Sequence, residues 1–436
     1  MISDATPPSQ AYVWIWLPDA TEPVVAGLLS SQGADYVFNY GRSYLAREDR
    51  IPVYLPELPL RQGVHVPASG LRMASCLRDA APDAWGRRVI LNRHYGLRSR
   101  EMDPAALSEL SYLLESGSNR IGALDFQASA SEYVPRIRAG ATLAELQEAA
   151  AQVEAGVPLS TELEQALMHG TSLGGARPKA MIEGVQEQWI AKFSSSSDHY
   201  NVVKGEFLAM RLAAAAGLDV AQVHLQRAAG KDALLVRRFD RVMTERGYTR
   251  KAIVSGLTLL GLDELMARYA SYEDLAEKIR HDFAQPQQTL RELFARMTFN
   301  VLCGNTDDHA RNHAAFWDGQ SLQLTPAFDI CPQARTGNEA SQAILIHDNQ
   351  RSSRLLTCLH SASNFLLDQD QAIHIMGEQI RAIDQHFDAV CEQGELSPVE
   401  RNLFRLRTFL NPSIFDQAPE PLRALGARFR EKENGA

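Results

Sequence analysis

The chain has 436 residues, 45% hydrophobic and 22% charged, enough for about two or three packed units and too apolar for disorder. Its net charge of −9 argues against nucleic-acid binding by a general surface excess of Lys and Arg; basic runs at Arg401 to Arg407 and Arg423 to Arg430 read equally as solvated helix faces. No apolar run approaches the ~18 residues of a membrane span, and the opening MISDATPPSQ lacks the basic and apolar parts of a signal peptide, so a cytoplasmic protein is expected. Cys76, Cys303, Cys331, Cys358 and Cys391 are scattered without a C-x-x-C pair, which points to reduced, partly buried thiols and against structural zinc.

In chain order, YVWIWL, VVAGLLS, YVFNY and YLA between residues 12 and 60 read as short strands of a small sheet or barrel closed by Pro52, Pro56 and Pro59. The pattern turns helical from Leu71 to Tyr95, where Pro82 starts a turn and Asp83 can cap, with Trp85 a packing residue. Further helices are expected over 103–116, 142–155 and Thr161 to Met168, with RIGALDF a strand between the first two.

Gly170 to Phe193 reads GTSLGGARPKAMIEGVQEQWIAKF. Gly170, Gly174 and Gly175 permit close backbone approach, and N–H donors on such a loop can wrap phosphate oxygens. A Walker loop would follow a strand and open a helix; here a helix precedes and a hairpin follows, the arrangement by which kinases cover ATP. Lys192 lies on the strand WIAKF and, if buried, needs a phosphate or carboxylate, for which Glu206 on the next helix is one candidate. After the loop SSSSDHY and that helix, VAQVHLQ and DALLVRRFDR give two strands and an exit. Backbone at Val236 to Phe239 could face an adenine edge, or Arg237, Arg238 and Arg241 with Asp240 could form a surface ion-pair cluster of little energetic weight.

Beyond residue 255 the pattern is helical, through LTLLGLDELMARY, YEDLAEKIRHDF and QTLRELFARMTFNVLCGN, and later AIHIMGEQIRAIDQHFDAVCEQG and SPVERNLFRLRTFL. Ser397, Pro398 and Glu400 form a capping box with proline at the first helical position, and the charged tail after Asp416 is expected to be mobile. Between these helices lies NTDDHARN, then fifteen residues, then FD, with strand-like stretches at Ala315 to Phe316 and Leu322 to Leu324. Asp307 and Asn312 satisfy the D-x-x-x-x-N spacing of a phosphoryl-transfer loop, and Asp329 fills the place of its later metal-binding carboxylate. One carboxylate accepts the attacking hydroxyl's proton, while an amide and a second carboxylate offer hard oxygens to Mg²⁺ carrying a nucleotide. A hydrogen-bonded capping loop is the plainer alternative.

In this order and spacing, SLGGARPK, WIAKF, VRRFDR, NTDDHARN and LTPAFDI resemble the HipA-type serine/threonine kinases, the toxin component of bacterial HipBA systems, over essentially the whole chain. The resemblance implies an α+β, two-lobed protein-kinase-like fold: a β-rich N-terminal lobe with an accessory small β subdomain, and an all-helical C-terminal lobe. Expected bounds are 1–130 for the accessory part with its helices, 131–240 for the nucleotide-covering lobe and 241–436 for the helical lobe. It implies Asp307 as proton acceptor, Asn312 and Asp329 as Mg²⁺ ligands, and Lys192 on the phosphates. The loop Gly174, Gly175, Ala176, Arg177, Pro178 and Lys179 would lie over ATP, His309 beside it, and Arg237, Arg238 and Phe239 at the adenine through backbone atoms; the family commonly has Glu where this chain has Arg237. It also implies autophosphorylation at Ser172 with ejection of the loop, a HipB-like DNA-binding antitoxin through which alone DNA is contacted, and a translation-related target such as an aminoacyl-tRNA synthetase. Three other functions stay open: a small-molecule phosphotransferase, a metal-dependent phosphodiesterase or nuclease using Asp307, Asp308, His309 and His313, and a co-repressor scaffold.

Overall fold

Alternating apolar residues build the first sheet, whose strands β1 (Gln10–Ile15), β2 (Val24–Gln32), β3 (Asp35–Tyr40), β4 (Val64–His65) and β5 (Leu124–Gln127) run in the order β4-β3-β2-β1-β5. The structure is a computed structural model that describes residues 7–431 apart from 97, 98, 100, 137–140, 185, 334–336 and 338, and of residues 406 and 431 the backbone alone. Six residues of the N-terminal stretch read for a signal and the last five of the tail therefore lie outside the described residues. YLA, expected as a strand, belongs instead to the short helix α1 (Arg42–Leu45). Gly41 ends the strand, and Tyr44 turns inward to stack on Tyr40 and donate to Ile51 O at 2.7 Å, so burial overrides its β propensity.

Helices α2 (Ser75–Arg78), α3 (Ala84–Tyr95), α4 (Glu109–Glu115), α5 (Leu143–Ala155) and α6 (Thr161–Met168) follow, α5 opening on a Thr142/Glu145 capping box; α4 is shorter than the helix expected over 103–116, whose first part is a 3₁₀ turn over Pro104–Ala106. The second sheet has strands β6 (Lys179–Glu183), β7 (Gln188–Phe193), β8 (Val223–Ala228) and β9 (Lys231–Arg237) in the order β6-β7-β9-β8. Ala180, Ala191, Phe193 and Ala233 on one face of this sheet pack on Trp85, Val89, Leu146, Val153 and Leu167 of α3, α5 and α6. Small residues in the sheet let these helices approach closely. Strands β10 (Arg241–Thr244), β11 (Gly247–Arg250) and β12 (Ala252–Ser255) were not expected, because segments of only four residues are too short to show a clear apolar alternation.

By compactness the chain divides into a first unit, Met1–Asp198 with Gln226–Val254 and Phe316–Gln320, and a second, His199–Leu225 with Ser255–Ala315 and Ser321–Ala436. In the first, a Cβ on Gly86 would stand 1.9 Å from Thr171 O and 2.8 Å from Thr171 C, both rigid backbone atoms. Gly86 thus lets α3 lie directly against the glycine-rich segment. Gly86→Ala is expected to destabilise this unit by about 1–3 kcal/mol through overpacking, read as a lowered urea midpoint; an unchanged midpoint would show that the contact is dispensable.

The second unit is predominantly helical, with α7 (Val202–Ala215), α8 (Gly256–Leu259), α9 (Tyr272–Asp282) and α10 (Pro286–Cys303), the strands β13 (Ala314–Trp317, shared with the first unit) and β14 (Leu322–Leu324), then α11 (Leu355–His360), α12 (Gln369–Gln393), α13 (Pro398–Arg407) and α14 (Glu420–Glu431). The expected long helix LTLLGLDELMARY stops at Leu259: Gly261 takes φ +64° and Asp263 Oδ1 accepts Met266 N at 2.8 Å, a side chain competing with the helix for the backbone. The capping box at Ser397 and Glu400 is present. The tail expected to be mobile instead forms α14, which buries Leu422 and Phe429 against the α12 side, where Phe387 meets Phe429 at 5.5 Å between ring centres. Arg405 of the basic run is buried over both rings and pairs with Asp388, a packing role. All five cysteines are free and buried, and among the described residues no helix is long and apolar enough to cross a membrane.

Candidate active site

The glycine-rich loop of the first unit turns through Gly174 and Gly175 at φ +77° and +88°, the left-handed region that disfavours side chains. Asp83 stands at the N-cap position of α3 but makes no side-chain cap there; its Oδ2 accepts Gly175 N at 2.6 Å. Gly175 O accepts Trp85 N at 3.3 Å, Trp85 Nε1 donates to Lys179 O at 2.9 Å, and Lys179 Nζ donates to Gly174 O. The segment PDAWG thus holds the loop at both ends. Gly175 and Ala176 are exposed, Pro178 is buried, and Arg177 pairs with Asp198. Ser172 is 2% exposed and its Oγ has no hydrogen-bond partner.

Lys192 on β7 sits directly opposite Lys179 on β6, so both ammonium stems share the sheet face away from Ala180 and Ala191. Like charges opposed across a strand pair are unfavourable, and an anion near them relieves the repulsion. The Gly175 N–H and the stems of Lys179 and Lys192 thus gather at this end of the loop. Glu206 is 3% exposed on α7 and belongs to the second unit, whereas Lys192 belongs to the first.

At the exit of β9, Arg237 pairs at the surface with Glu187 at 3.0 Å. Arg238 and Arg241 do not: their side chains are 0% and 2% exposed, which overturns the reading of a surface cluster. Asp240 accepts from Arg238 Nη2 at 2.7 Å, Arg241 Nη1 at 2.9 Å and Gly122 N at 2.7 Å, while both arginines also bind carbonyls or the amide of Asn119 and Arg120. Arg238 N is committed to Gln188 O at 2.8 Å, and Phe239 stacks edge-on with Phe316. The arginine-rich exit ties the lead-in of β5 to the second sheet.

In the second unit, α10 ends at Gly304, φ +76°, and releases the loop Asn305 to Asn312. Asn305 folds back on Asn300 through N–H···O at 2.9 Å and Nδ2–H···Oδ1 at 3.0 Å. A 3₁₀ turn over Ala310–Asn312 presents Asn312, whose Nδ2 lies 3.3 Å from Asp307 O. Asp307 is exposed, whereas Asp308 beside it is 2% exposed and turned inward. Asp329, half-buried, adopts φ +59°, a strained conformation for a residue with a side chain. Partial burial pushes the Asp307 carboxyl up; His309 opposes this, and the carboxylates of Asp329 and Asp308 push it further up. The expected acceptor and metal carboxylate therefore feel each other's charge.

Residues 16–127 match the HipA N-terminal domain and residues 171–387 the HipA-like C-terminal domain. The chain belongs to the HipA family. A solved Shewanella oneidensis HipA, in complex with HipB and its operator DNA, aligns at a TM-score of 0.63 over 97% of this chain and 95% of that chain; at 17% identity this establishes the fold. The serine/threonine-protein kinase toxin HipA of Shewanella oneidensis is 27% identical over 240 residues, 47% of this chain and 53% of its own length. The Y4mE protein of Sinorhizobium fredii is 31% identical over 147 residues, 32% of this chain and 33% of its own length. The matched stretches span about a third to a half of these two curated relatives.

In this HipA-family chain the donor set fits a magnesium nucleotide: Asn312 and Asp329 offer hard oxygens, and His309 Nδ1 is buried without a hydrogen-bond partner among the described residues. The metallonuclease reading fits poorly, because Asp308 and His313 are buried against each other; among the described residues only Glu273, His347 and Asp348 converge as a group of three metal-ligand types. Three contributors escaped the sequence reading. Asp83 was read as a helix cap; Asn119, which receives both buried arginines, and Tyr272, whose hydroxyl donates to Asp308, carried no reading of their own.

Proposed function

We propose that this protein is an ATP- and Mg²⁺-dependent serine/threonine protein kinase and the toxin of a type II toxin–antitoxin pair. The observation that carries the reading is the Asp307 carboxyl, pushed up by burial and by Asp329 on a loop that also presents Asn312. A raised carboxyl is a better proton acceptor near neutral pH. Asp307 would take the proton of the substrate hydroxyl, and Asn312 and Asp329 would hold Mg²⁺, which when bound neutralises charge on the phosphate oxygens. Lys192, Lys179 and the Gly175 N–H would hold the phosphates, which requires Asp83 to release that N–H.

Ser172 is proposed as the autophosphorylated residue. Its buried Oγ means the loop must swing outward first, and a phosphate of about −1.5 to −2 charge would then keep it from returning. The proposed partners are a HipB-like antitoxin, which would supply any DNA contact given the net charge of −9, and a translation-related target such as an aminoacyl-tRNA synthetase.

The test is γ-labelled ATP with wild type and Lys192→Met, followed by mass spectrometry of the chain. Label should appear on protein and at Ser172 with wild type and be largely lost in the variant. Label entering only small metabolites would sink the protein-kinase reading in favour of a small-molecule phosphotransferase.

A further inference from the structure

Asp308 and His313 each follow directly one of the two residues assigned to the chemistry, Asp307 and Asn312. Both turn inward, with side chains 2% and 4% exposed, and His313 Nε2 lies 3.0 Å from Asp308 Oδ1, an ion-pair contact outside hydrogen-bond geometry. The other carboxylate oxygen, Oδ2, accepts the hydroxyl of Tyr272. The rings of Tyr272 and His313 meet edge to face at 5.3 Å between centres.

Tyr272 is fully buried, and burial first, then the Asp308 carboxylate, push its hydroxyl well above the usual range, so it remains a donor. Tyr272 and His313 are each tied by backbone hydrogen bonds to segments outside the loop. Tyr272 is the first residue of α9 and its N–H donates to Leu345 O at 2.9 Å; His313 O accepts Gly256 N at 2.6 Å. An ionised carboxylate inside a protein is costly, and apolar side chains of similar volume could fill this space at least as stably. What the Tyr272 hydrogen bond and the His313 ion-pair contact add is a fixed spacing.

We infer that Tyr272, Asp308 and His313 are positioning residues that lock the span from Asp307 to Asn312, so that the proton-accepting carboxylate and the metal-binding amide keep one separation. The inference rests on the kinase reading for its catalytic consequence, but the locking itself does not. None of the three touches substrate; they act through their chain neighbours. A misplacement of about 1 Å is enough to cost on the order of 10²-fold in rate.

The experiment compares the full chain with Tyr272→Phe, Asp308→Asn and His313→Gln. It measures kcat and KM for ATP in labelled-phosphate transfer, thermal midpoints, and amide hydrogen exchange over residues 305–313. The expected result is a kcat roughly 10–100-fold lower with KM for ATP within about twofold, and faster exchange confined to 306–313. His313→Gln, which keeps a polar side chain beside Asp308, should retain more kcat than His313→Ala.

Wild-type kcat with unchanged exchange in Tyr272→Phe and Asp308→Asn would overturn the inference. So would exchange rising evenly through the second unit with KM and kcat failing together, since that marks general loosening. If wild type transfers no phosphate, the kinase reading fails, and the exchange comparison alone decides the triad.

Discussion

Asp307→Asn is expected to lower phosphate transfer by about 10²–10⁴-fold, the usual contribution of a positioned general base. The substitution keeps the side-chain shape and removes the basic oxygen. Because partial burial of the carboxyl, together with Asp329 and Asp308, pushes Asp307 up, removing its charge should leave the thermal midpoint unchanged or slightly raised. ATP should still produce a thermal shift, since the phosphate-holding lysines and loop are intact. Equal labelling by wild type and variant would remove Asp307 from the chemistry and return the loop to a capping role.

Asp240→Asn is expected to have the largest effect on stability, with no direct part in the chemistry. It leaves two guanidiniums, 0% and 2% exposed, without their counter-charge. Breaking a buried ion pair in this way costs about 3–5 kcal/mol, which urea unfolding would read as a lowered midpoint of the first unit. A loss under about 1 kcal/mol would mean that the carbonyls of Asn119 and Arg120 satisfy Arg238 and Arg241 by themselves.

The pH dependence follows from the same group. Burial alone would raise the Asp240 carboxyl, but Arg238 and Arg241, with the Gly122 N–H, hold it well below the usual carboxylate range. A carboxyl lower in the folded chain than its unfolded value of about 3.9 contributes stability that is full above that value and lost as pH falls toward the folded one. Asp125, held down against its burial by Arg120 and Arg136, has the same sign. Wild type should therefore lose stability steeply below about pH 4, and Asp240→Asn should show a shallower acid limb. Parallel acid limbs would remove Asp240 from the account.

Elements whose signal is local were legible before any fold was known. The Ser397 cap, the α10 helix ending before Gly304, and the glycine loop between helix and hairpin each depend on residues within a few positions of one another. The spacing from Asp307 to Asn312 and on to Asp329 was likewise readable, because phosphoryl transfer needs those ligand types near one another. The sequence could not show that Asp83 caps a glycine 92 residues away rather than its own helix, or that Asp308 answers to Tyr272.

By itself the sequence determined the family and the mixed strand-and-helix composition, and it supplied the candidate side chains on which the proposed kinase reading draws. Tertiary structure decided which polar residues are exposed and which are spent inside. Arg238 and Arg241 read as surface charge until Asn119, Arg120 and Asp240 closed around them, and α14 read as a loose tail until Phe429 found Phe387. The reason is physical: a hydrogen-bonding group accepts any complementary partner, so its chemistry is written locally. Its partner is set by which distant segments burial of the core brings alongside it.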